Sequence, residues 1–119
     1  MRYRNMQTKE LNVNGNIVLT DSEGYIVDSD EWSEGFVTAL ANSENLELTD
    51  EHFEVVKFLR AYYELHRVQC EVRKIVKHFK KYWDAEKATS SYLHLIFPRG
   101  GPQKQGNRLA GLLRTKGEH

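Results

Sequence analysis

The sequence predicts a mainly α fold with a small N-terminal β-hairpin. Three observations carry this: apolar stripes at helical spacing over residues 49–66 and 71–83, an Asn-Gly pair between short alternating segments near the start, and Pro/Gly punctuation from residue 98 onward. At 119 residues with 39% hydrophobic and 29% charged residues, the chain has the balance of one globular domain with one core. Its expected organisation is a flexible N-terminus over residues 1–10, a single domain over 11–111 and a mobile C-terminal tail over 112–119.

The hairpin is expected within residues 11–27. Leu11 and Val13 precede Asn14-Gly15, and Ile17 and Leu19 follow it, with a second turn at Glu23-Gly24 before Tyr25-Ile26-Val27. Asn-Gly accepts the positive φ angles of a tight hairpin turn. A first helix is expected from the Asp28/Glu31 start signal, with Trp32, Phe36, Ala39 and Leu40 on one face. Gly35 inside it costs about 1 kcal/mol relative to alanine, so close packing should compensate. Thr49 is placed to cap a second helix reaching about His66, buried through Val55, Val56, Leu59, Tyr62 and Tyr63. A third helix, Glu71 to Trp83, carries the stripe Val72, Ile75, Val76, Phe79, Tyr82 and Trp83. Ser90 or Ser91 should cap a short fourth helix that stops near Phe97, because Pro98 disfavours helix in the residue before it. Pro102 then suits the first position of a last helix through Ala110, with Gly111 as its stop.

Charge is unevenly spread: residues 1–60 hold 12 acids and 5 bases, whereas residues 61–119 hold 5 acids and 12 bases. An anionic partner would therefore meet the second half. Arg73, Lys74, Lys77, Lys80 and Lys81 form a candidate nucleic-acid face on the third helix, which follows the second at helix-turn-helix spacing. The competing interpretation is a solvated lysine face.

Other chemistry is sparse. The single cysteine, Cys70, permits no intramolecular disulfide and fits a reducing cytoplasm. It sits where a helix N-terminus and Arg73 would lower a thiol pKa, although a buried structural cysteine is the commoner outcome. The five histidines show no metal-ligand spacing, so no metal and no cofactor are expected. No nucleophile elbow, phosphate loop or dinucleotide fingerprint occurs. The longest apolar runs are far below the roughly 20 residues that span a bilayer, so a cytoplasmic monomer without membrane attachment is expected.

Three stretches together resemble the DsrC/TusE family, also called the dissimilatory sulfite reductase gamma-subunit family. They are Gly24-Tyr25-Ile26-Val27-Asp28 with Asp30-Glu31-Trp32, then Thr49 to Tyr63 with Val72 to Lys77, and finally Tyr92-Leu93, Leu95 to Gln105 and Arg108-Leu109-Ala110-Gly111-Leu112. The resemblance covers about residues 11–119. It implies an orthogonal helical bundle with a small N-terminal hairpin and a flexible C-terminal arm that carries sulfur between partners. Those partners would be a sulfite reductase, or Tus-type or DsrE-type relay proteins serving tRNA thiolation.

That role needs thiols this chain lacks. The family's near-terminal cysteine position holds Glu118, and the earlier cysteine of the DsrC branch corresponds to Asn107. Neither side chain offers the sulfur nucleophile that persulfide exchange requires. Leu113 stands where the family has a proline after Ala-Gly-Leu, and Cys70 stands where proline is usual. The sequence therefore suggests a regulatory or docking paralogue, not an enzyme, binding family partners through Arg99, Lys104, Arg108, Arg114 and Lys116. A DNA-binding regulator and a residual sulfur carrier using Cys70 are the alternatives.

Overall fold

The computed structural model describes residues 7–113, so Arg114, Lys116 and Glu118 lie outside the described residues. Two units can be distinguished: one joins the chain up to Glu47 with the segment from Arg108, and the other is Leu48–Asn107.

The first unit begins with an antiparallel hairpin of β1 (Thr8–Val13) and β2 (Asn16–Asp21), paired from Thr8 with Asp21 to Val13 with Asn16. Its turn is the expected Asn14-Gly15, with φ of 53° and 90°, and the Gly15 N–H donates to Asn12 Oδ1 at 2.9 Å. The hairpin starts three residues earlier than the alternation suggested. Tyr25-Ile26-Val27 is not a third strand, since only Ile26 forms a bridge, to Thr20. Asp21 explains why: its Oδ1 accepts the Glu23 and Tyr25 amides at 2.9 and 3.0 Å and curls the chain after β2.

Helix α1 spans Glu34–Ser43 and starts later than expected. Asp28 caps only a 3-10 turn at Ser29–Glu31, whereas Ser33 caps α1 by accepting the Phe36 amide. Trp32 is therefore outside the helix, and Phe36, Val37, Leu40 and Ala41 form the buried face. Gly35 has the predicted reason to be small: a Cβ there would lie 2.6 Å from Asn14 Nδ2 and 3.1 Å from Val13 Cγ1.

In the second unit, α2 spans Asp50–His66 and buries His52, Val55, Val56 and Leu59. It ends at Arg67 in a left-handed conformation, φ 61°. Helix α3 is Val72–Phe79, shorter than expected. The chain turns after Phe79, leaving Tyr82 70% exposed while the Trp83 indole N–H donates to Glu54 Oε1 at 2.7 Å. Helix α4 is Ser90–Ile96, capped by Thr89, whose Oγ1 accepts the Tyr92 amide at 3.0 Å. It stops at Phe97, in accord with Pro98. No helix of the described residues is long and apolar enough to cross a membrane.

Candidate functional site

From Gly101 to Leu112 most side chains of the segment following Pro98 are buried, Gln103 and Lys104 being the exposed ones. Pro102–Gly106 forms a widened helical turn instead of the ordinary α-helix expected from Pro102, and the amides of Lys104, Gln105 and Gly106 all converge on the Gly101 carbonyl. Gln105 is fully buried, and its Oε1 accepts the Arg99 backbone N–H at 3.0 Å. Three residues of α-helix follow, α5 (Asn107–Leu109).

Asn107, at the position that the resemblance gives to a thiol, has no exposed surface. Its Nδ2 donates to the Gln103 carbonyl at 2.6 Å and to Gln69 Oε1 at 3.1 Å, while Oδ1 is buried without a hydrogen-bond donor among the described residues. Gln103 in turn donates to the Cys70 carbonyl at 3.4 Å. Asn107 thus works as a cross-brace between the widened turn and the loop before α3.

The five cations assigned to partner binding separate. Arg99 and Lys104 are exposed. Arg108 is 8% exposed, and its guanidinium forms a two-pronged ion pair with Glu44, so its charge is answered within its own unit. Arg114 and Lys116 lie outside the described residues. In the same unit as Arg108, Leu109 and Ala110 are fully buried, Leu112 is 3% exposed, and the Trp32 indole N–H donates to the Leu109 carbonyl at 2.8 Å.

The basic helix also divides. Arg73, Lys77 and Lys80 follow one another at spacings of four and three and form one exposed row. Lys74 points elsewhere: its Nζ donates to Tyr62 Oη at 3.2 Å. Lys81 lies close enough to His78 to help lower the imidazole pKa, after burial as the main cause.

Cys70 is 1% exposed, and its Sγ lies 3.5 Å from the Glu71 carbonyl. Burial pushes the thiol pKa up to about 11; Lys74 opposes the rise but does not overcome it. The activating effect expected from the helix start and Arg73 is not what this environment produces. No group of three or more metal-binding side chains occurs among the described residues.

Sequence reasoning missed His52. Its Nδ1 accepts the Thr49 amide at 3.0 Å and lies 2.9 Å from Thr49 Oγ1, and its Nε2 is 2.7 Å from the Ile96 carbonyl. With the proton on Nε2, all three contacts are satisfied, so this histidine joins the start of α2 to the end of α4. A second missed group is Glu51, which accepts hydrogen bonds from Tyr92 Oη and, at 2.9 Å, from Lys87 Nζ. Burial alone would raise the Glu51 pKa, but these two donors hold it below the usual carboxylate value.

Known proteins are similar to this chain in sequence and in fold. The family model described as "DsrC like protein" matches residues 12–117. "Sulfurtransferase TusE homolog" of Haemophilus influenzae is 42% identical over 102 residues, 86% of this chain and 93% of that protein. "Sulfurtransferase TusE" of Yersinia pestis is 40% identical over 102 residues, again 86% and 93%. Among solved structures, Allochromatium vinosum DsrC is 39% identical with a TM-score of 0.77, over 93% of this chain and 96% of that one. The oxidized gamma-subunit of the dissimilatory sulfite reductase (DsrC) from Archaeoglobus fulgidus is 34% identical with a TM-score of 0.82, over 91% and 97%. With a family model across most of its length and full-span relatives at about 40% identity, the chain belongs to the DsrC-like family.

Proposed function

We propose that this chain is a regulatory or docking paralogue within the sulfur-handling DsrC/TusE family: it binds a sulfite reductase or Tus-type or DsrE-type relay proteins in the cytoplasm without carrying sulfur. The observation that carries this reading is Asn107. Where the DsrC branch places a thiol, the chain has a buried amide whose nitrogen is committed to Gln103 and Gln69. The other family cysteine position is Glu118 by sequence, and the one remaining thiol, Cys70, is buried with a pKa raised to about 11. Sulfur transfer by exchange proceeds through a thiolate, and at neutral pH this chain offers almost none. Kinship with proteins named sulfurtransferases supports the choice of partners, while the absence of the thiols supports a non-enzymatic role.

The test has two arms. Immobilised protein titrated with purified sulfite reductase and with Tus-type and DsrE-type complexes should bind at least one of them, and should compete with a thiol-bearing relative for it. After exposure to a persulfide donor the protein mass should stay unchanged, whereas Glu118→Cys should gain ~32 Da, the mass of one sulfur. Failure to bind any of these partners removes the docking role, and a wild-type gain on Cys70 restores the carrier. The duplex-DNA alternative has weaker support, because Lys74 is held by Tyr62 and α3 spans only eight residues.

A further inference from the structure

We infer that the groove on α3 is a binding site for a small amphipathic anion: an apolar body bearing one carboxylate, sulfonate or phosphate group. The site is independent of the partner-docking reading above and uses none of the same residues.

A cavity of about 620 Å³ lies against α3, lined by Val72, Arg73, Val76, Lys77 and Lys80, with Ser90 from the start of α4. This volume falls within the ~300–1,000 Å³ usual for small-molecule sites. Helical geometry explains its two-sided character. Val72 and Val76 are four residues apart and half-buried, at the margin of the stripe whose centre, Ile75 and Phe79, is buried. At about 100° per residue, Arg73 and Lys77 each lie one step round the helix from Val72 and Val76, and Lys80, one turn after Val76, falls between the valines and those two cations. A ligand lying along the cavity therefore meets a strip of valine and, beside it on the same helix, three cationic groups.

Charge decides the occupant. Arg73 is near Glu71, with 3.7 Å between Nη2 and Oε1, but this pair is 88% and 62% exposed and screened by water. Among the described residues neither Lys77 nor Lys80 has an acidic partner. A neutral apolar ligand would leave both ammonium groups unanswered, and a bare inorganic anion would leave the two valines in water. Only a molecule with both parts uses the whole surface. Duplex DNA fits less well, because Lys74 faces Tyr62 and a phosphate chain gains nothing from the valine wall.

The probe is anilinonaphthalene sulfonate, compared with the uncharged phenylnaphthylamine and with methanesulfonate, which lacks the ring system. The full chain should bind the sulfonate dye at one site, about tenfold more tightly than the uncharged dye, and methanesulfonate should not bind measurably. The double variant Lys77→Glu/Lys80→Glu should weaken dye binding about tenfold or more, as should Ser90→Trp, which fills the cavity from an exposed position and so spares the core. Amide chemical shifts should change around Val72 to Lys80 and at Ser90. Equal affinity for charged and uncharged dyes, shifts confined to other elements, or indifference to both variants would each overturn the site. So would displacement of the dye by duplex DNA with a steep loss at rising salt, which would make the row a phosphate-backbone surface.

Discussion

The Arg108 guanidinium holds both carboxylate oxygens of Glu44, with Nε to Oε2 and Nη2 to Oε1 each at 3.1 Å. The two side chains retain only 10% and 9% of their exposure, and the Arg108 guanidinium also lies 5.8 Å from the centre of the Tyr25 ring. Removing one partner strands the other charge away from water. Arg108→Ala should therefore cost about 3–5 kcal/mol of folding stability, measured by denaturant unfolding. Arg108→Ala with Glu44→Leu should recover a large part of the loss, because no unpaired charge is then left behind.

At Gly106 an added Cβ would come within 2.9 Å of Leu59 Cδ1, and Leu59 is itself fully buried. The Leu59 methyl must therefore shift within a filled interior. Gly106→Ala should destabilise the fold by about 1–3 kcal/mol, read as a lowered midpoint of thermal unfolding.

Cys70 should resist thiol reagents in the native protein. A pKa of about 11 places it some two units above the ordinary thiol, so the thiolate at pH 8 is scarcer by about a hundredfold, and burial restricts access further. Absorbance assays with an aromatic disulfide should show slow modification in buffer and rapid modification in denaturant. Fast labelling of the folded chain would contradict the buried placement.

Acid should weaken the α2–α3 packing through His78, which stacks on Phe58 at a centroid distance of 4.2 Å. Burial, aided by Lys81, holds its pKa below the usual value, so on acidification the unfolded chain takes up this proton first. The contribution of the neutral ring is full above the unfolded pKa of about 6.5 and is lost as pH falls through the folded value. Unfolding midpoints measured from about pH 7.5 down to 5 should fall more steeply for the wild type than for His78→Phe, which keeps the stacking without the proton.

Local chemistry was the legible part of this fold. Asn14-Gly15, the Thr49 helix start and the stop before Pro98 each depend on a few adjacent residues, and each stands where the sequence put it. Errors arose where local signals compete. Asp28 and Ser33 are both good capping residues five positions apart; the first was taken by a 3-10 turn, and the helix began at the second. The apolar stripe of α3 continues to Trp83, but after Phe79 the backbone tightens into turns, in which Lys81 bonds back to His78 and Tyr82 to Phe79, while the Trp83 indole reaches Glu54, 29 residues away. Long-range pairings were illegible for the same reason. Nothing near His52 signals the Ile96 carbonyl 44 residues later, and nothing near Arg108 signals Glu44, 64 residues earlier. An arginine in a run of cations looks like a surface charge until its partner is located. Asn107 was identified in the sequence by what it replaces, whereas its bracing role depends on Gln69 and Gln103 reaching the same place.

The chain has two tryptophans, and they report on different places. Trp83 is tied to Glu54 in one unit, whereas Trp32 donates its indole proton to the Leu109 carbonyl in the other. With Trp83→Phe as the background, indole fluorescence would arise from the Trp32 ring alone, which is hydrogen-bonded to the backbone just beyond Arg108. Its emission wavelength becomes a built-in optical gauge of whether that stretch is seated. Any partner that draws the stretch away should shift the light toward the red.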